Sequence, residues 1–127
     1  MGSNLEGQLG LKHQKGFNPM LNSEFCEPEL IQDLKFNKVV KVRAGKFSAA
    51  LTADQQLYIW GRGVFGEFKT PHRVKASNKL KIKDFQISTG GIAIILSKQG
   101  ELYSWGDNQF GQLGHGDNDQ RRAPHKI

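Results

Sequence analysis

Short apolar runs alternate with turn-forming residues along most of the chain. Val39 to Arg43 and Asp84 to Ser88 switch between apolar and polar side chains, the pattern of a strand with one buried face. Phe47 to Thr52 and Ile92 to Ser97 are short, largely apolar runs, as in strands covered on both faces. Asp54-Gln55 and Gln99-Gly100 supply turn chemistry before Leu57 to Trp60 and Leu102 to Trp105. Loops this short predict antiparallel neighbours. Only Pro28 to Lys35 reads as helix, one or two turns with its proline in the first turn.

These elements recur. Ala44 to Thr52 aligns with Thr89 to Ser97, and Gln56 to Gly61 with Glu101 to Gly106, at a constant offset of 45 residues. Gly45 and Gly90, Trp60 and Trp105, Gly61 and Gly106, and Gly66 and Gly111 coincide, as do the Leu-Tyr pairs before each tryptophan. Gly2-Ser3-Asn4-Leu5-Glu6-Gly7-Gln8-Leu9-Gly10 repeats the pattern of Gly106 to Gly114. Several short strands recurring every 40–50 residues point to propeller blades, which bury their faces only against neighbours. The expected fold is therefore all-β: antiparallel β-propeller blades, two near-complete repeats plus partial ones. The division is a partial repeat over 1–22, a surface insertion over 23–37, and repeats over 38–82 and 83–127.

Composition narrows the function. The hydrophobic share is 37% with 15 glycines, an ordinary globular value. The longest apolar stretch, Ile92 to Leu96, is far short of the roughly 20 residues that span a bilayer, so no membrane insertion is expected. Cys26 is the single cysteine, which excludes an internal disulfide framework and suits an intracellular chain, cytoplasmic or nuclear. The net charge of +6 is local: Lys69, Arg73, Lys75, Lys79, Lys81 and Lys83 follow one another with no acid between, and elsewhere the charges balance. That stretch reads as a solvated lysine-rich loop. Aromatics do not interleave with its cations, so nucleic acid is the less favoured partner.

Leu102-Tyr103-Ser104-Trp105-Gly106-Asp107-Asn108-Gln109-Phe110-Gly111-Gln112-Leu113-Gly114 closely resembles the repeat of the regulator of chromosome condensation family. Gly2 to Leu11 resembles it too, and Gly45 to Gly66 resembles its preceding portion. The resemblance implies a seven-bladed propeller in which sequence repeats are offset from blades. It also implies a role as an interaction propeller, with nucleotide exchange on a Ran-like small GTPase and chromatin contact as the founding member's activities. Phe47-Ser48 and Ile92-Ala93 depart from the family's His-Thr or His-Ser, and Gly66-Glu67-Phe68-Lys69 replaces Gly-Gln-Leu-Gly, marking a divergent member. A full ring needs more than this length, so the remaining blades are expected from a longer chain or another subunit.

No catalytic, cofactor or metal motif survives inspection. Gly61-Arg62-Gly63-Val64-Phe65-Gly66 is formally a dinucleotide-binding fingerprint but lacks a helix to receive a pyrophosphate. Asp107, Asp117 and Asp119 lack the bidentate glutamate and central glycine of a calcium loop. The histidines have no partner at metal-ligand spacing. The expectation is a non-enzymatic protein–protein scaffold needing no cofactor, contacting partners through inter-strand loops: His115, Asp117, Asp119, Arg121 and Arg122, then Lys75, Lys79 and Lys81. The alternatives are an exchange factor and a nucleic-acid tether through residues 69–83.

Overall fold

The computed structural model describes residues 2–3, 8–11, 24–25, 30–35 and 37–127. Two four-stranded antiparallel meanders dominate it. The first runs β3 (Val39–Ala44), β4 (Phe47–Thr52), β5 (Leu57–Gly63) and β6 (Gly66–Arg73), following the short pair β1 (Gly2–Ser3) and β2 (Glu24–Phe25). The second runs β7 (Ile82–Ile87), β8 (Ile92–Ser97), β9 (Leu102–Gly106) and β10 (Arg121–Lys126). The all-β expectation holds, and each sheet carries an outer strand, β6 or β10, beyond the three that periodicity picked out.

Alternation decides which face packs. In the first sheet Phe47, Ala49 and Leu51 on β4 share a face with Leu57 and Ile59 on β5. In the second, Phe85, Ala93, Ile95 and Trp105 share a face by the same logic. These two faces meet in one buried cluster that also takes in Val74, Leu80 and Ile82. Stacking two sheets in this way hides apolar surface that neither could hide alone. At one edge β3 lies against β7, where Lys41 Nζ is 2.6 Å from Asp84 Oδ1 and Arg43 Nε donates to Gln86 Oε1 at 3.3 Å.

Trp60 points the other way, opposite Phe47. Its indole Nε1 donates to the Gln8 carbonyl at 2.7 Å, and the Ser48 hydroxyl donates to the same oxygen at 2.9 Å. The N-terminal turn therefore covers the outer side of the first sheet. Leu34 joins this side, buried with Ala50 and Trp60.

Two readings need correction. The described part of the Pro28 to Lys35 helix is a single 3-10 turn, Gln32–Leu34, too short for an amphipathic stripe. Part of the segment 23–37, expected as a surface insertion, lies outside the described residues; within the described part Leu34 is covered. The basic stretch is not a loop: Lys69 and Arg73 lie on β6, Lys79 in the four-residue helix Ser77–Leu80, and Lys83 on β7. Buried Val74, Leu80 and Ile82 anchor this stretch between the exposed lysines.

The repeat offers a natural comparison at the β4–β5 and β8–β9 turns. Gln55 N donates to Thr52 O as Gly100 N does to Ser97 O, and both residues take positive φ, +66° and +84°. A non-glycine residue pays of order 1–3 kcal/mol there. Gln55→Gly is expected to raise stability by about 1 kcal/mol after glycine's greater unfolded-state entropy is subtracted, and Gly100→Gln to lower it by a similar amount. Urea unfolding midpoints of the two variants check this, and a shift of the same sign in both would refute it.

Candidate functional site

The β5–β6 and β9–β10 connections differ sharply. Gly63 pairs with Gly66 across the two-residue loop Val64-Phe65, so the fingerprint-like glycines close a hairpin and no helix follows them. In the second sheet the chain leaves at Gly106 and returns at Arg121. The intervening loop is built on Asn108, whose side chain is buried. Its Nδ2 donates to Asp117 O at 3.0 Å, Asp119 O at 2.9 Å and Asp117 Oδ1 at 3.1 Å, while its Oδ1 accepts from Leu113 N at 2.9 Å. One amide thus ties both limbs together, and sequence reasoning did not single it out, although it sits in the repeat motif.

The loop's expected contact residues are largely engaged within it. Asp117 Oδ2 receives Arg121 Nη2 at 2.6 Å and Asp117 Oδ1 receives Asp119 N at 3.0 Å. His115 Nε2 lies 3.0 Å from the Ser104 hydroxyl, which donates to Leu113 O. Asp107, the third acid of the calcium-like set, instead faces Lys46 at 3.3 Å across the sheets. Among the described residues no three of His, Cys, Asp and Glu are grouped to hold a metal ion.

The Arg121 guanidinium, followed by the Asp119 amide, holds the Asp117 carboxyl below its ordinary value of 3.8. A carboxylate with a depressed folded-state pKa stabilises the fold above the ordinary value, and that contribution disappears as pH falls through the depressed one. Arg121→Gln is expected to raise the Asp117 pKa toward 3.8, as read by carboxyl carbon NMR titration. An unmoved titration would show that Arg121 does not supply the effect.

Of the remaining expected residues, two come together elsewhere. Lys75, just past β6, and Arg122, on β10, line one groove of about 200 Å³ between the sheets. Lys79 and Lys81 are exposed and lie outside its lining. Arg73 joins the groove's rim, and Ile59, Val74 and Trp105 form its floor. One wall is a stack of rings: Phe65 lies parallel to Phe68 with centroids 5.9 Å apart, and Phe68 to His72 at 4.0 Å. A larger cavity of about 580 Å³ flanks the Trp60 side of the first sheet, with Leu34, Val42 and Ala50 in its walls.

The model of the regulator of chromosome condensation (RCC1) repeat matches residues 1–51 and 99–127. The E3 ubiquitin-protein ligase HERC2 of Mus musculus is 31% identical over 137 residues, covering 99% of this chain and 3% of that protein. The ultraviolet-B receptor UVR8 of Arabidopsis thaliana is 32% identical over 136 residues, covering 99% of this chain and 29% of the receptor. Among solved structures, Prp20p of Saccharomyces cerevisiae, reported with its binding properties to Gsp1p and histones, superposes with a TM-score of 0.68 at 20% identity. That match covers 98% of this chain and 32% of Prp20p. Yeast RCC1 (Prp20) bound to Kap60 gives 0.72 at 20% identity over 99% of this chain and 32% of that one. These are β-propellers, and the two sheets correspond to blades. The chain spans under a third of each of these proteins' length.

Proposed function

The chain belongs to the regulator of chromosome condensation (RCC1) repeat family, and on that premise we propose that it is a non-enzymatic binding module whose stacked blades present a protein-contacting rim. The observation carrying this reading is that Lys75 and Arg122, from two different repeats, meet in one groove. A rigid sheet stack that displays side chains from separate blades is a scaffold for recognition. Lys79 and Lys81 extend the cationic surface, and His115, Asp117, Asp119 and Arg121 contribute by fixing the shape of the neighbouring loop. The division into a partial repeat over 1–22, an insertion over 23–37 and repeats over 38–82 and 83–127 belongs to the same proposal. So does placement of the module inside the cell, with further blades completing the ring. Among the described residues no helix is long and apolar enough to cross a membrane.

Photo-crosslinkers placed at Lys79 and at Asp119 in the full chain test the reading. Specific adducts with protein, and GDP release from a small GTPase that stays at its intrinsic rate, are the expected results. Accelerated release of radiolabelled GDP would establish the exchange activity instead, a reading that Prp20p's relation to Gsp1p keeps in view. Adducts with nucleic acid alone would favour a tether.

A further inference from the structure

The groove between the sheets combines features that together specify a ligand class. Its floor is apolar and covered: Ile59, Val74 and Trp105 are 4%, 9% and 1% exposed. Its rim carries Arg73, Lys75 and Arg122, all exposed, and no Asp or Glu lines it. None of these three cations has an ion-pair partner among the described residues. Cations around a low-dielectric floor focus a positive field, which an incoming anion relieves.

Size and ring geometry narrow the choice. A volume of about 200 Å³ is below the roughly 300–1,000 Å³ of small-molecule sites and suits one anchoring side chain. Single-strand platforms need free ring faces on which bases stack. Here Phe68 is already stacked in parallel with both Phe65 and His72, so the rings of this wall are engaged with one another. Ring edges carry positive charge density and accept neighbouring carboxylates.

We propose that this groove binds an acidic peptide, seating one aromatic or aliphatic side chain against Ile59, Val74 and Trp105 while flanking carboxylates engage Arg73, Lys75 and Arg122. The inference rests on reading the chain as a binding module and names that module's ligand. Charged rims set approach rate and orientation, and the buried anchor supplies most of the affinity.

Isothermal titration calorimetry of the full chain provides the test, with a blocked pentapeptide of one phenylalanine flanked on each side by two glutamates. Binding is expected to weaken at least tenfold for the double variant Lys75→Glu, Arg122→Glu. It is expected to stay unchanged for the double variant Lys69→Glu, Lys83→Glu, which makes the same charge change at exposed positions of β6 and β7 outside the groove, and for Lys69→Glu alone. A peptide with glycine for phenylalanine, or lysines for the glutamates, is expected to bind at least tenfold more weakly. Circular dichroism confirms that these surface variants keep their sheets. Equal loss in either Lys69 variant, equal binding of the lysine peptide, or oligothymidylate competing for the same cations would overturn the inference. If the peptide fails to bind while crosslinked protein adducts at Lys79 and Asp119 persist, the groove assignment falls and the module reading stands.

Discussion

Trp105→Ala is expected to cost about 3–5 kcal/mol, the usual range for deleting a large buried aromatic. The side chain is 1% exposed and lies in the cluster that joins the two sheets, against residues contributed by both. Its loss opens a cavity in the seam instead of inside one sheet. Against a typical total of 5–15 kcal/mol, such a loss leaves little cooperative structure. Urea unfolding followed by far-ultraviolet circular dichroism checks it, with Trp105→Phe expected to retain roughly half the difference. A loss below about 1 kcal/mol for the alanine variant would show that the sheets do not depend on each other.

Gly106→Ala is expected to destabilise by about 4 kcal/mol although it adds a single methyl group. Gly106 ends β9 with φ of +119°, a region that side chains avoid. A Cβ there would lie 2.1 Å from the Gly91 carbonyl oxygen. That oxygen cannot retreat freely, because it accepts the Asp107 amide at 3.3 Å and sits beside the start of β8. Strain at φ and a backbone clash therefore add. Thermal unfolding of the variant beside Gly100→Ala separates the two causes, since a Cβ at Gly100 meets nothing within 4 Å and suffers from φ alone. Equal losses at the two positions would remove the clash from the account.

The strands that carry the tryptophans were legible because their alternation is strong and recurs at a fixed offset. The outer strands were not. Gly66–Arg73 and Arg121–Lys126 are polar, each contains a proline, and each stands at a sheet edge where one side needs no partner. The register shifts near these prolines, between Ile59 and Gly61 on the facing strand and between Arg121 and His125, blur the period further. The site was visible as residue types and hidden as an arrangement. Lys75 and Arg122 meet because the sheets stack, a relation that no window of sequence contains. Conversely, the polar loop from Asp107 to Gln120 looked free for contact because spacing cannot show that Asn108 turns inward and draws Asp117 and Asp119 onto itself. Asn108→Asp would set carboxylate oxygens against those same carbonyls, so burial of this side chain requires an amide.

The two indoles occupy different seams. Trp60 is roofed by the N-terminal turn and tied to the Gln8 carbonyl, whereas Trp105 is enclosed where one sheet meets the other. Intrinsic emission is therefore a two-channel reporter. Lifting of the turn red-shifts the Trp60 signal and leaves Trp105 blue, and parting of the sheets does the reverse. Single-tryptophan variants can time the two openings separately, and so tell a fraying terminus from a ring coming apart between its blades.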